Sequence, residues 1–291
     1  MTVVEAEDVI VAEAYALVGV PGRDPGVQNR LWVFLGRTRG AGGDPSVLRR
    51  ASVTVRRPAD GVRFRLERAE LDECVSDPRR ERPGVCYDAG VAAVGLRSGD
   101  ELELDVRLPD GRTLEGRTRI PGTFRVEGEA SDCALPPNTP FEVRWTPSDG
   151  ARAYVNETRI DGLDVALGDE GIEAPDELYL LGLSLSASDT TIVFPGEFGV
   201  FDRFDLDQDL TVRLQQGLPE GTQATVGISA ADRNYVDWAR GGNFNPSGQI
   251  RVPSVRGDGT GVFASVVMRR FGVFVGPSGP AAALPPCRGS S

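Results

Sequence analysis

Strict alternation of polar and apolar residues, interrupted by Asp-Gly and Pro-Gly turns, is the feature that most constrains this chain. From Glu101 to Leu108 charged residues alternate with aliphatic ones, and Pro109-Asp110-Gly111 then turns the chain back. A period of two describes a strand with one apolar face, and Asp-Gly supplies the left-handed geometry of a tight turn. The same pattern flanks Pro58-Ala59-Asp60-Gly61. It predicts antiparallel hairpins.

Other short strands are predicted along the whole chain, at 9–18, 31–35, 51–56, 62–66, 112–121, 141–145, 178–181, 191–194, 210–214, 224–228 and 261–268. The 36 glycines and 21 prolines favour many turns between them. A chain of 291 residues is long enough for two domains. We therefore predict an all-β protein of two β-sandwich domains in series, with domains at 1–127 and 128–291.

The chain contains no histidine, and all 32 of its basic residues are arginine. Histidine is the usual general base and metal ligand near neutral pH, and lysine forms Schiff bases and phosphate contacts. Ser-His-Asp, Cys-His and Ser-Lys sites are therefore excluded. A carboxylate-dependent hydrolase is left as an alternative, because its carboxyl separation is a three-dimensional quantity. We predict that the protein is not an enzyme and holds no cofactor.

Asp205, Asp207 and Asp209 alternate with apolar residues and would share one strand face. Oxygen ligands in that arrangement suit calcium, but the solvent-exposed face of a half-buried strand would show the same alternation of acidic and apolar residues. No metal site is predicted.

The net charge of -11 and the pI of about 4.7 oppose binding to the phosphate backbone of a nucleic acid. The arginine-rich stretches at 63–68 and 79–82 contain acids, as solvated surfaces do. No nucleic-acid partner is predicted.

The four cysteines show no CxxC spacing, and four cysteines allow three pairings. Cys74 and Cys86 flank a polar loop, whereas Cys133 and Cys287 stand near the two ends of the second half. We predict the pairs Cys74–Cys86 and Cys133–Cys287, which imply an oxidising compartment. The first eight residues lack a signal-peptide pattern, so either the export signal lies outside this sequence or the protein is cytosolic. The expected location is periplasmic or on the cell surface, with no transmembrane segment.

Two family resemblances follow from particular residues. The second half is similar to a fibronectin type III module at Trp145, Asp149-Gly150-Ala151 and Tyr154. This resemblance implies that the predicted sandwiches are immunoglobulin- or fibronectin-like. The segment 104–121 and the glycine-rich turn 257–263 resemble a family of uncharacterised Gram-negative envelope lipoproteins, often encoded near TonB-dependent transporters. That resemblance implies an envelope location and no established activity.

Aromatic and amide side chains are concentrated in a predicted Gly-rich loop at 234–245. The candidate contact residues there are Asn234, Tyr235, Trp238, Asn243 and Phe244. Such side chains stack on and hydrogen-bond a sugar or a peptide, or anchor a protein interface. They would equally serve as a lid over the edge of a sandwich.

The sequence thus predicts an exported accessory or scaffold subunit that docks on a larger envelope or membrane protein assembly. The alternative is a carbohydrate- or peptide-binding module that uses the loop 234–245.

Overall fold

The computed structural model describes residues 8–19, 28–38, 45–74, 83–127, 132–196, 208–241, 251–277 and 279–287. Strands dominate these residues, which confirms the mostly-β class. In chain order the strands are β1 (Ile10–Gly19), β2 (Arg30–Arg37), β3 (Ser52–Arg56), β4 (Arg63–Ala69), β5 (Gly84–Asp88), β6 (Glu101–Arg107), β7 (Thr113–Arg119), β8 (Cys133–Leu135), β9 (Phe141–Arg144), β10 (Ala153–Asp161), β11 (Glu177–Leu183), β12 (Thr191–Phe194), β13 (Gln223–Ala231), β14 (Val255–Gly257) and β15 (Gly259–Val275). The helices are α1 (Pro45–Arg49), α2 (Leu163–Leu167), α3 (Gln208–Leu214) and α4 (Arg233–Arg240).

The chain divides into two compact units that are discontinuous in sequence. Unit 1 comprises Met1–Val18, Gln28–Pro121 and Asp232–Val266. Unit 2 comprises Gly19–Val27, Gly122–Ala231 and Val267–Ser291. The division after Pro121 lies close to the predicted end of the first domain at residue 127. The segment Asp232–Val266, which the prediction placed in the second domain, belongs to unit 1.

In the part of unit 1 that the structure describes, nine strands follow the order β1-β2-β5-β4-β3-β6-β7-β14-β15, and β15 pairs again with β1. The sheet is therefore closed and barrel-like. On β1, Ile10, Ala12, Ala14 and Ala16 are fully buried, while the residues between them are only half-buried. Alternation along the strand thus puts Ile10 and the three alanines on one face and Val11, Glu13, Tyr15 and Leu17 on the other. The prediction of a sandwich for the first domain is not confirmed, since one closed sheet replaces two.

Closure of this sheet depends on glycines at the start of β15. A Cβ atom added to Gly259 would lie 2.5 Å from the carbonyl oxygen of Ile10, and one added to Gly261 would lie 1.9 Å from that of Ala12. Only a residue without a side chain allows the two backbones to approach this closely.

Unit 2 has strands in two sheets. Five strands follow the order β8-β15-β13-β10-β11, and β9 pairs with β12 in a second sheet. The pairing of β9 with β12 and the adjacent order β11-β10-β13-β15 match the order of strands B and E, and of C′, C, F and G, in immunoglobulin-like folds. The Trp145 and Tyr154 rings, whose centroids are 5.3 Å apart, connect the end of β9 to β10. The aromatic residues of the fibronectin-like pattern are therefore core contacts.

Both predicted cysteine pairs are present as disulfides. Cys74 is bonded to Cys86 in unit 1, and Cys133 is bonded to Cys287 in unit 2. The second bridge joins β8 to a segment 154 residues further along the chain.

Two sequence-based predictions of local structure are wrong. The predicted strand at 210–214 is part of α3, where Leu210 and Leu214 are buried one turn apart. The predicted loop at 234–245 begins as the helix α4, and residues 242–250 lie outside the described part of the chain. The apolar run at 210–214 fitted a strand as well as a helix, and the burial of Leu210 and Leu214 on one helix face decided between them.

Candidate functional site

Asp232 starts α4 and fixes its position. Its carboxylate oxygen Oδ1 accepts a hydrogen bond of 2.8 Å from the backbone N–H of Tyr235. An aspartate in this position satisfies one of the backbone donors that the first turn of a helix leaves free. The side chains that follow, including Tyr235 and Trp238, are thereby set on a rigid helix instead of a loop.

The other carboxylate oxygen of Asp232 lies in a buried polar chain within unit 1. Oδ2 is 2.6 Å from the hydroxyl of Thr118, and that hydroxyl is 2.8 Å from the hydroxyl of Ser265. Ser265 in turn lies 3.0 Å from the carbonyl oxygen of Arg119. All three side chains are almost completely buried.

The ionised and protonated forms of Asp232 fill this chain differently. The Thr118 hydroxyl donates to Asp232 Oδ2 and the Ser265 hydroxyl donates to the Arg119 carbonyl, so two protons serve three oxygen–oxygen contacts. Protonation of Asp232 would add the third proton, because the carboxyl could then donate to Thr118 and Thr118 to Ser265. Burial raises the pKa of Asp232 from 3.8 to about 6, against the opposing effect of the hydrogen bond from Thr118.

Asn234 ties α4 to the sheet of unit 1. Its side-chain amide donates to the carbonyl oxygens of Arg117 and Phe263, at 2.7 and 2.8 Å. Arg117 lies on β7 and Phe263 on β15, so one side chain connects the helix to two strands. Asn234 was predicted as a ligand contact, but both of its amide donors are used to hold the helix.

An aromatic surface forms where α4 meets the outer face of β1 and β2. We define it by Tyr15, Trp32, Tyr235 and Trp238. Tyr15 and Trp32 are directly opposite each other in the strand register, and their ring centroids are 5.5 Å apart. The Tyr235 ring is 6.3 Å from that of Tyr15, in an edge-on geometry. All four side chains are half-buried, so each keeps part of its surface exposed.

Two arginines lie against the tryptophans of the aromatic surface. The guanidinium carbon of Arg30 lies 5.0 Å from the centre of the Trp32 ring, and that of Arg251 lies 4.8 Å from the centre of the Trp238 ring. Arg30 also pairs with Glu73 at 3.0 Å. Stacking of this kind contributes roughly 0.5–1 kcal/mol at an exposed site and combines a planar cation with apolar rings.

The structure brings only part of the predicted contact set together. Tyr235 and Trp238 lie three residues apart on α4, at the spacing of neighbours on one helix face. Asn243 and Phe244 lie outside the described residues. Tyr15 and Trp32 were missed as site residues, although both occupy outward positions between buried ones on alternating strands. That alternation was the signal that could have found them.

The described residues contain no group of three or more Cys, Asp or Glu side chains placed to hold a metal ion. Of the three alternating aspartates, Asp209 lies on α3, and Asp205 and Asp207 fall outside the described residues. Among the described residues no helix has the length and apolar character needed to cross a membrane.

No protein-family model and no curated protein matches this sequence. The resemblance to envelope lipoproteins therefore stays a prediction. Solved structures similar to the chain include Dpr11 IG1 bound to DIP-gamma IG+IG2, with 8% sequence identity, a TM-score of 0.21 and coverage of 93% of this chain and 99% of the other. Fibronectin(III)-like modules of Clostridium thermocellum CbhA have 8% identity, a TM-score of 0.19 and coverage of 96% and 98%. At such scores the fold assignment rests on the strand pairings described above.

Proposed function

We propose that the protein is a non-enzymatic, exported accessory subunit that docks on a larger protein assembly of the cell envelope through the aromatic surface of unit 1. The observation that carries this proposal is the convergence of Tyr15, Trp32 and Tyr235 from three different elements, β1, β2 and α4. Trp, Tyr and Arg are the residues that most often dominate the binding energy of protein interfaces.

Rigid support of the aromatic surface favours a binding role. Asp232 caps α4 and Asn234 holds it to two strands, so the rings are ordered before any partner arrives. Side chains that are already ordered lose less conformational entropy on association. The two disulfides support the exported location, since such bonds persist in oxidising compartments.

The test compares Trp32→Ala and Trp238→Ala with Val91→Ala, a matched control in unit 1 whose side chain is 91% exposed and lies outside the aromatic surface. Tagged protein is expressed in its source organism and purified from gently solubilised membranes. Wild type and Val91→Ala should co-purify with one defined protein partner. Each tryptophan variant should bind the purified partner about 30-fold more weakly, as expected for loss of an interface hot spot. Recovery of the wild type without any partner would contradict the proposal.

A carbohydrate- or peptide-binding module is the second candidate, because Tyr235 and Trp238 present two rings on one face of a helix. Aromatic rings with an exposed face stack on sugars and peptides. Binding on a glycan or peptide array that disappears in Trp238→Ala, with an unchanged melting temperature, would favour this candidate over the docking subunit.

A further inference from the structure

Among the described residues, no backbone hydrogen bond reaches the outer edge of β11, which leaves its outward N–H and C=O groups open to another strand. Two hydrogen bonds show which residues of β11 point their backbone groups at β10. They run from the Ser184 N–H to the Tyr154 carbonyl at 2.8 Å, and from the Gly162 N–H to the Asp176 carbonyl at 3.0 Å. In an antiparallel pair, residues that exchange such bonds alternate with residues that do not. Leu178, Leu180 and Gly182 therefore point their backbone groups at β10. Glu177, Tyr179, Leu181 and Leu183 point theirs away.

The described residues place no strand beyond β11, which ends the order of the five-stranded sheet in unit 2. Tyr179 is 62% exposed and Leu181 is half-buried. From Leu178 to Leu183 the strand has no charged residue and no proline. Charged side chains, prolines and bulges are the usual means by which proteins prevent edge strands from pairing with another chain.

The opposite edge of the same sheet is occupied. β8 has only three residues, and the disulfide from Cys133 holds the segment around Cys287 beside it. Ala134 donates its N–H to the Pro285 carbonyl and accepts a bond from the Cys287 N–H, both at 2.8 Å. In unit 1, closure of the sheet removes its edges. β11 is therefore longer than β8 at the other edge of the sheet, and among the described residues no segment covers it as the segment around Cys287 covers β8.

We propose that β11 pairs antiparallel with β11 of a second copy of this chain, forming a two-fold symmetric dimer. A register centred on Leu180 places Tyr179 opposite Leu181 of the other copy and Glu177 opposite Leu183. Every outward-pointing residue then meets an outward-pointing residue, as a hydrogen-bonded pair requires. Glu177, the one acid of β11, then faces Leu183 instead of the Glu177 of the other copy, which avoids like-charge repulsion across the strands.

A second copy fits this edge because the pairing is self-complementary. In a two-fold interface the same patch meets itself, and β11 carries its charge at one end only, so the antiparallel arrangement separates the two charged ends. The net charge of -11 on each copy opposes association through long-range repulsion. Added salt screens that repulsion and should strengthen the dimer. This inference is independent of the proposed function, since unit 1 takes no part in it.

Sedimentation velocity over a wide range of protein concentration tests the dimer. Wild type should dimerise more tightly as salt is raised. Leu181→Pro removes an outward N–H without touching the bonds to β10, and Tyr179→Lys adds a charge to the edge. Each should weaken the dimer by about 30-fold or more. Val165→Lys, at a position of unit 2 that is 83% exposed and lies on α2, should dimerise like wild type.

The register has a separate test, because none of the described cysteines is free to interfere. Tyr179→Cys protein mixed with Leu181→Cys protein should form a mixed disulfide in preference to either homodimer. Wild type that stays monomeric at every concentration and salt level would overturn the proposal. So would dimerisation of folded Tyr179→Lys with wild-type affinity, or cross-linking of each cysteine variant only with itself. None of these results bears on whether Trp32 and Trp238 bind a partner.

Discussion

At the scale of single residues, Asp232 couples protonation to folding. Its pKa is raised from 3.8 to about 6 by burial, so the folded protein binds a proton more tightly than the unfolded chain does. The free energy of unfolding should therefore increase as the pH falls from about 6 to about 4, and this contribution is complete below the unfolded pKa. Two pKa units correspond to about 3 kcal/mol. Urea denaturation at a series of pH values measures the effect.

Asp232→Asn is the matched control for that titration. An amide reproduces the protonated acid: its oxygen accepts from the Tyr235 N–H, and its N–H donates to Thr118. The variant should be at least as stable as wild type at neutral pH and should lose the pH dependence assigned to this group. Asp232→Ala should lose about 1–3 kcal/mol at neutral pH, because the polar chain and the helix cap both break, and the loss should grow as the pH falls below about 6. An unchanged pH profile in Asp232→Asn would show that other groups cause it.

At the scale of elements, the pairing of β15 with β1 decides whether the sheet of unit 1 closes. Gly261→Ala would place a Cβ 1.9 Å from the Ala12 carbonyl oxygen, in a backbone with φ +143°. We expect the variant to lose more than about 3 kcal/mol or to fail to fold, because two paired backbones cannot separate without loss of their hydrogen bonds. Hydrogen exchange should show reduced protection along β1.

Gly111→Ala is the control that introduces a Cβ at a positive φ without a steric clash. Gly111 has φ +92° in the turn between β6 and β7, and an added Cβ would meet nothing within 4 Å. Its replacement should cost only about 1 kcal/mol. Equal losses in the two variants would mean that the close approach of β15 to β1 contributes nothing to stability.

At the scale of the whole molecule, the two disulfides close loops of very different length. Their sequence separations are 12 for Cys74–Cys86 and 154 for Cys133–Cys287. Loss of chain entropy in the unfolded state corresponds to about 3 kcal/mol for the short loop and about 5 kcal/mol for the long one. Replacing Cys133 and Cys287 with serine should therefore destabilise the protein more than replacing Cys74 and Cys86.

Urea denaturation of the two double variants measures that difference, and mass spectrometry after alkylation shows whether the remaining bridge is formed. In wild type, alkylation without reductant should leave the mass unchanged. The reverse order of stability would indicate that strain or residual structure, and not loop length, decides the contribution of each bridge.

The strand pattern could be predicted from the sequence because alternation and turn residues are local properties of the chain. β6 and β7 lie where the acid–aliphatic alternation and Pro109-Asp110-Gly111 placed them. Both cysteine pairs were also predicted, since they stand at the ends of a polar loop and of the second half. Helix α4 was missed although its cap, from Asp232 to the Tyr235 N–H, is local, because the contacts that hold it in place, to Thr118, Arg117 and Phe263, are distant along the chain.

By itself, the sequence determined that this protein is built mainly of short strands, carries two disulfides and lacks the imidazole and amine groups of most catalytic sites. The tertiary structure alone decided that residues 232–266 join unit 1, that the nine strands there close through β1 and β15, and that Tyr15 and Trp32 meet Tyr235. The physical reason is that strand propensity depends on neighbours along the chain. Closure and the aromatic surface depend instead on pairings between residues more than 200 positions apart, which no local pattern records.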